Sequence, residues 1–339
     1  MKAYLNLIEY YLPKGTLTNE EISAQHPEWS VEKITKKVGI QSRHVAEDNE
    51  CASDMAYNAA EALFENNHIQ RESIDFLILC TQSPDYKLPS TSCILQDKLG
   101  LPKSCGTFDY NLGCSGYVYG LGIAKGLILS NQAKNVLLLT SETYTKYLSN
   151  NDKGNKTIFG DAATASIISN TTCENGLNYE IGEFCYGTDG SKYDCLIVKN
   201  GGAKYPCNGD GDICDEKDNF IRNDNKLFMN GKAIFDFTAL EVPKLVKDNL
   251  LKNQTDISQI DLVIFHQANE YMLRIARQRC EIPPEKFFFD ITNVGNTVSN
   301  SIPIAIKKAQ ETGKLENVKS VLLTGFGVGL SMGSVVLTK

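Results

Sequence analysis

The chain contains itself twice. IDFLILCTQ from Ile74 returns as IDLVIFHQA from Ile260, and KNVLLLTSE from Lys134 returns as KSVLLTGFG from Lys319. FDYNLGCSGYVYGLGIA from Phe108 matches FDITNVGNTVSNSIPIAI from Phe289, and DAATASIIS from Asp161 matches GLSMGSVVLT from Gly329. Each copy reads as helix, strand, glycine turn, helix, strand, strand. The apolar runs are continuous rather than alternating, as in sheets covered by helices on both faces. This pattern predicts a duplicated α/β architecture that breaks near Thr171–Gly176, with halves at 1–172 and 173–339. Equivalent strand ends then open onto one cleft between the halves, a usual place for a site.

Three polar or nucleophilic residues fall at such ends. Cys114 lies where an apolar strand turns through Gly113 into a small-residue helix. The helix N-terminus there directs backbone N–H groups at the thiol, which predicts a lowered pKa and a thiolate able to attack carbonyl carbon. His266 follows the apolar run IDLVIF, and Asn296 sits in the glycine-bearing loop FFFDITNVGNTVSNS. An isolated histidine at a strand end is more often a satisfied core residue, and an isolated asparagine beside Gly295 is a turn residue. Together with a cysteine they fit either thioester chemistry or cysteine hydrolysis. His26, His44 and His68 lie in polar or helical surroundings and receive no role.

A net charge of −7 argues against nucleic acid or an anionic membrane as the main partner. MKAYLNLIEYYLPKG lacks the apolar core of a signal peptide, and no apolar run is long enough to span a bilayer. Eleven cysteines, many inside apolar runs, fit small buried hydrophobes in a reducing compartment, so a cytoplasmic enzyme is expected. Two stretches leave the repeat. Ser141–Lys156 is polar and is expected to be a loop flanking the entrance. Gly201–Asp224 is an acidic, glycine-rich excursion whose DGDICD places Asp215 where a calcium loop requires glycine. Cys207 and Cys214 lack partners at zinc-finger spacing. Both stretches read as solvated loops.

The ordered blocks VGIQSRHVAE (Val38–Glu47), TQSPDYKLPSTSCILQDKLGL (Thr81–Leu101), NLGCSG, IFGDAATA (Ile158–Ala165), FMNGKAIFDF (Phe228–Phe237), HQAN, VGNTVSNS and GFGVGLSMG (Gly325–Gly333) resemble β-ketoacyl-acyl-carrier-protein synthase III over nearly the whole chain. That resemblance implies a thiolase-like five-layered αβαβα fold, a homodimer and a Cys114–His266–Asn296 triad. It implies acyl transfer from acyl-CoA to Cys114, then decarboxylative condensation with a malonyl thioester on acyl carrier protein. CoA and phosphopantetheine thioesters serve as substrates, with no separate cofactor or metal. The implied oxyanion donors are the backbone N–H groups of Cys114 and Val328. Val328 stands where relatives usually have glycine, and valine restricts the backbone to negative φ.

The resemblance also assigns substrate contacts. Lys37 and Lys153 stand where relatives place CoA-binding arginines, keeping charge without the bidentate fork. Trp29 lies a few residues too early for the adenine-stacking tryptophan. Asn269 reads first as a helix cap, with a contact to the cofactor tunnel as the family reading. Leu88 matches the bulky residue that closes the partner's acyl pocket. Tyr271 replaces a carrier-docking arginine, for which Arg274, Arg277 and Arg279 are candidate substitutes.

Three rival readings remain. A papain-like hydrolase shares the Cys–His–Asn order but not the internal repeat or the HQAN and GFGVG blocks. A same-fold acyltransferase or secondary-pathway ketosynthase would differ in donor or acceptor. Hydroxymethylglutaryl-CoA synthase would need a catalytic glutamate in the first half, for which Glu142 is the candidate. A non-catalytic scaffold is at odds with an intact triad.

Overall fold

The computed structural model describes residues 1–339, and no helix in it is long and apolar enough to cross a membrane. Ten strands form one hydrogen-bonded surface made of two five-stranded sets. The first runs Gly106–Tyr110, Phe76–Cys80, Asn135–Glu142, Ala162–Ser169, Tyr4–Tyr11. The second runs Phe287–Phe288, Leu262–Phe265, Ser320–Gly327, Ser331–Thr338, Tyr179–Thr188. In four of the five positions the paired strands hold or adjoin segments that match in sequence; the fifth pair, Tyr4–Tyr11 and Tyr179–Thr188, lies outside those matches. The sets join edge to edge where Tyr4 pairs with Glu180 and Leu5 with Tyr179.

Helices Gly116–Leu129 and Ser301–Glu311 lie between the two sets. Tyr117, Leu121, Ile302 and Ile306 share one buried cluster with Ile78 and Leu138 of one set and Ile264 and Leu323 of the other. Helix Ala52–Asn67 covers the outer face of the first set through Met55, Ala59 and Leu63. Helices Gly231–Lys252 and Glu270–Arg279 cover the second through Phe237, Val246 and Leu273. The result is five alternating layers, as the family resemblance implied. The central helix is rich in small residues because it is squeezed. A Cβ on Gly120 would lie 2.4 Å from the Tyr110 hydroxyl and 2.7 Å from Leu138 Cδ1.

Parallel pairing aligns the carboxyl ends that matter. Cys80 pairs with Tyr110 and Thr140, and Phe265 with Thr324. Segments leaving these ends therefore converge on one side of the molecule. The Ser141–Lys156 stretch departs from the expected loop. Its first strand continues through Glu142, a 3-10 turn follows at Tyr144–Tyr147, and Lys153–Lys156 forms a helical turn. Its tyrosines explain the order: buried Tyr144 packs 5.0 Å from the Phe159 ring and 5.9 Å from that of Tyr147. Gly201–Asp224 is largely exposed, with a short hairpin pairing Ile213–Cys214 with Phe220–Arg222. Asp212 ties it down by accepting from Asn151 Nδ2 at 2.7 Å and Asn223 Nδ2 at 2.8 Å.

Candidate active site

Cys114 is buried between strand Gly106–Tyr110 and the central helix, which begins two residues later at Gly116. The Gly325–Gly333 loop presses against it. A Cβ on Gly327 would sit 2.8 Å from the Cys114 sulfur, so only glycine fits. Val328, one residue on, keeps a negative φ and still directs its N–H at the sulfur. The valine's backbone restriction therefore costs this contact nothing.

The expected lowering of the thiol pKa is overturned. Burial pushes Cys114 up to about 12, outweighing the N–H groups of Val328 and of Cys114 itself, and the Glu142 carboxyl adds to the rise. Desolvation of an anion in a dry site wins over two backbone dipoles. The resting nucleophile is a neutral thiol, and no hydrogen bond joins it to His266. A rate prediction follows. The thiolate fraction grows with pH all the way to the thiol pKa, so acyl loading and iodoacetamide alkylation of Cys114 should rise roughly tenfold per unit between about pH 6 and about pH 9. A plateau near neutrality would instead indicate a thiolate–imidazolium pair.

His266 follows strand Leu262–Phe265 and is buried. Its Nδ1 lies 2.7 Å from Ser301 Oγ, and that hydroxyl donates to the Val298 carbonyl at 3.0 Å. With the hydroxyl proton so placed, Nδ1–H donates to Ser301 and Nε2 is left as a lone pair. Turning the hydroxyl towards Nδ1 gives the other tautomer, with Nε2–H as donor. Burial drives the imidazole pKa down to about 3, against the opposing pull of the Val298 carbonyl, so His266 is neutral in either form.

Asn296 is held by its backbone, which accepts from Gly160 N at 3.0 Å and donates to Ile158 O at 2.9 Å. Its Oδ1 accepts from Val298 N–H at 2.9 Å, which leaves Nδ2 as a donor. Val298 therefore anchors both partners. Its φ of 57° is an uncommon conformation for a β-branched residue, with a cost of about 1–3 kcal/mol. Cys114, His266 and Asn296 line one cavity of about 120 Å³, walled by Phe159, Leu196 and Phe326.

Glu142 lies fully buried beneath this site. It accepts from Gln82 N–H at 3.0 Å, Ser299 Oγ at 3.0 Å and Ser83 Oγ at 3.3 Å. Burial still raises its carboxyl to about 8, so it is largely protonated at neutral pH. It is not among the residues lining the cavity; its contacts brace the two loops around it.

The cavity opens through Ile158, Met229 and Gly231 into a cleft of about 750 Å³. Lys37 and Lys153 line this cleft, as does Trp29. The Trp29 ring lies 4.8 Å from Lys37 Nζ and 5.9 Å from Lys153 Nζ, within cation–π range. Sequence spacing alone had set Trp29 aside; packing of the helix Val31–Val38 brings it in. Lys153 also pairs with Glu28.

The remaining residues divide. Asn269 caps helix Glu270–Arg279, accepting from Met272 N–H at 2.9 Å, and also lines the cavity. Leu88 does not line the cavity; it is 82% exposed on a loop shared with Tyr86, which is 61% exposed. Tyr271 stacks on Phe235 at 5.6 Å. Arg277 is committed to the Ile282 carbonyl at 2.6 Å, and Arg274 pairs with Glu270.

Comparisons with known proteins show what the chain is similar to. A family model described as 3-oxoacyl-[acyl-carrier-protein (ACP)] synthase III matches residues 108–190, and one described as its C-terminal part matches residues 250–339. The chain is 36% identical over 337 residues to the β-ketoacyl-[acyl-carrier-protein] synthase III of Campylobacter fetus, covering 99% of this chain and 98% of that one. Against the Clostridium perfringens (strain ATCC 13124) protein of the same name, identity is 35% over 329 residues, with 96% of each covered. A crystal structure of a 3-oxoacyl-(acyl-carrier-protein) synthase III superposes with a TM-score of 0.95 at 40% identity, covering 100% of both chains. The Burkholderia xenovorans 3-oxoacyl-(acyl-carrier protein) synthase gives 0.89 at 32% identity, covering 100% of this chain and 94% of that one.

Proposed function

This chain belongs to the β-ketoacyl-[acyl-carrier-protein] synthase III family of acyl-transferring condensing enzymes, and from that premise we propose that Cys114, His266 and Asn296 run the two half-reactions of a condensation. The reading rests chiefly on one observation: a cleft lined by Trp29, Lys37 and Lys153 runs into the Cys114 cavity. A CoA thioester suits that shape, with phosphates and adenine on cations and an indole and the thioester carbon at sulfur.

In the first half-reaction the Cys114 sulfur adds to the thioester carbonyl while the N–H groups of Cys114 and Val328 hold the developing oxyanion. The tetrahedral intermediate collapses with loss of CoA thiolate, which takes up the proton given up by Cys114. Each fixed donor of this kind is typically worth about 3–4 kcal/mol. In the second, a malonyl thioester on acyl carrier protein occupies the emptied cleft. Asn296 Nδ2 and the Nε2–H tautomer of His266 donate to its thioester carbonyl. Loss of CO2 leaves an enolate, which attacks the acyl-enzyme carbonyl and expels the Cys114 thiolate, giving a β-ketoacyl thioester. The thiolate regains a proton from solvent. Neutral donors suit this step, since a base would only compete for the proton.

We read 1–172 and 173–339 as the two thiolase-like halves, and a cytoplasmic location and the absence of a bound cofactor are parts of the same proposal. Carrier protein docks on the face bearing Tyr271 and Arg274. The chain acts as a homodimer in which Leu88 closes the partner's acyl pocket, a reading supported by two large apolar side chains left exposed on one loop. The test is intact-protein mass after incubation with acyl-CoAs of graded length, followed by addition of malonyl carrier protein. Wild type should gain the acyl mass and then release a β-ketoacyl product. Leu88→Trp should shift the preferred donor towards acetyl by roughly tenfold or more, at little cost in stability. An unchanged chain-length profile, or a monomer at micromolar concentration, contradicts the dimer reading.

A further inference from the structure

Phe228 lines the donor cleft and also a second cavity of about 420 Å³, formed where the Gly201–Asp224 excursion leaves and rejoins the fold. The second cavity contains no residue of the triad. Four cations line it, Lys199, Lys204, Arg222 and Lys226, against two carboxylates, Asp194 and Asp224. The charges do not cancel locally. Asp224 is shared between Lys199 at 2.6 Å and Arg222 Nε at 3.0 Å. Lys204 has no carboxylate partner, and Lys226 donates only to the Lys146 carbonyl at 3.0 Å. Such an excess of positive charge is unexpected beside an excursion rich in aspartate on a chain of net charge −7. The rest of the wall is apolar or aromatic: Tyr193, 58% exposed, with Ile197, Tyr205 and Phe228. Lys199 and Lys204 lie 5.8 and 5.6 Å from the Tyr205 ring, so both ammonium groups are gathered at one end.

We propose that this cavity is a second ligand site, separate from the donor cleft, that takes a small phosphorylated molecule. Its phosphate meets Arg222 and the lysines, whose donors suit a multiply charged oxyanion. Its flat or apolar body lies on Tyr193, Ile197 and Phe228. The volume falls in the range of small-molecule sites.

ADP is a usable probe of the full chain, and Trp29, the sole tryptophan, reports separately on the donor cleft. Calorimetry at low salt should register ADP binding that Trp29 fluorescence does not see. Inorganic pyrophosphate should compete for that silent component, which identifies the phosphate as the recognised group. The double variant Lys199→Gln/Arg222→Gln should weaken the silent component at least about tenfold while leaving acyl loading of Cys114 and the fluorescence titration unchanged. If that variant fails to load acyl groups, Lys204→Gln and Tyr193→Ala replace it under the same criterion. The proposal is overturned if all ADP binding is reported by Trp29, if none is detected, or if the silent component survives these substitutions. Failure of the donor cleft to bind ADP leaves the silent component intact, so the two readings are tested independently.

Discussion

Cys114→Ala should abolish acyl-enzyme formation outright and yet leave slow release of CO2 from a malonyl thioester. The first half follows from position. No other cysteine lines the catalytic cavity, and Cys80, the buried thiol that matches His266 in the repeat, donates to the Leu112 carbonyl and is pushed well above its ordinary value by burial. The second half follows from independence. His266 is fixed by Ser301, and Asn296 by Val298, Ile158 and Gly160, none of them through the Cys114 side chain. Alanine removes only the sulfur, so both donors keep their aim. The check is intact mass for the acyl adduct and labelled CO2 for decarboxylation, on the same preparation. An acyl adduct on the variant, or CO2 release lost with loading, contradicts this separation.

The complementary substitutions should produce the complementary loss. Asn296→Ala removes the free Nδ2 donor and should slow decarboxylation roughly 100- to 1000-fold, with His266→Ala comparable. The double variant should fall well short of the product of the two, because both donors act on one developing oxygen. If Asn296→Ala decarboxylates at the wild-type rate, its Nδ2 does not reach the substrate carbonyl.

Much of this was legible in the chain because it is local or repeated. Continuous apolar runs flanked by glycine turns identified the strands, and the repeat indicated which strand ends are equivalent. Cys114 and His266 stand a few residues beyond such an end and Asn296 lies in the loop that leaves a third, so their convergence could be read without coordinates. What could not be read depends on packing between distant segments. The Cys114 thiol looks activated from its own helix, and only the closure of Gly327 and Phe326 over it reveals how dry the sulfur is. Trp29 precedes Lys37 by two helical turns, and whether its ring reaches Lys153 depends on how that helix leans on a loop more than a hundred residues away. Arg277 is a docking candidate by sequence, but its guanidinium holds the turn that follows its own helix. Tyr144 and Tyr147 order a stretch whose polar composition suggests a loop. The His266 tautomer rests on a serine 35 positions away and on one valine with an unusual φ.

The division of labour is the central claim, and the mass of His266→Ala after exposure to an acyl-CoA tests it most directly. The Cys114 sulfur makes its polar contacts with backbone N–H groups and none with the imidazole, so the variant should load to the same extent as wild type while failing to decarboxylate. A hydrolase-like pair predicts the opposite, because there the histidine takes the thiol proton before attack. Full adduct on His266→Ala is the result expected here; no adduct, under conditions that saturate the wild type, would show that the two half-reactions share one base and that the account is wrong.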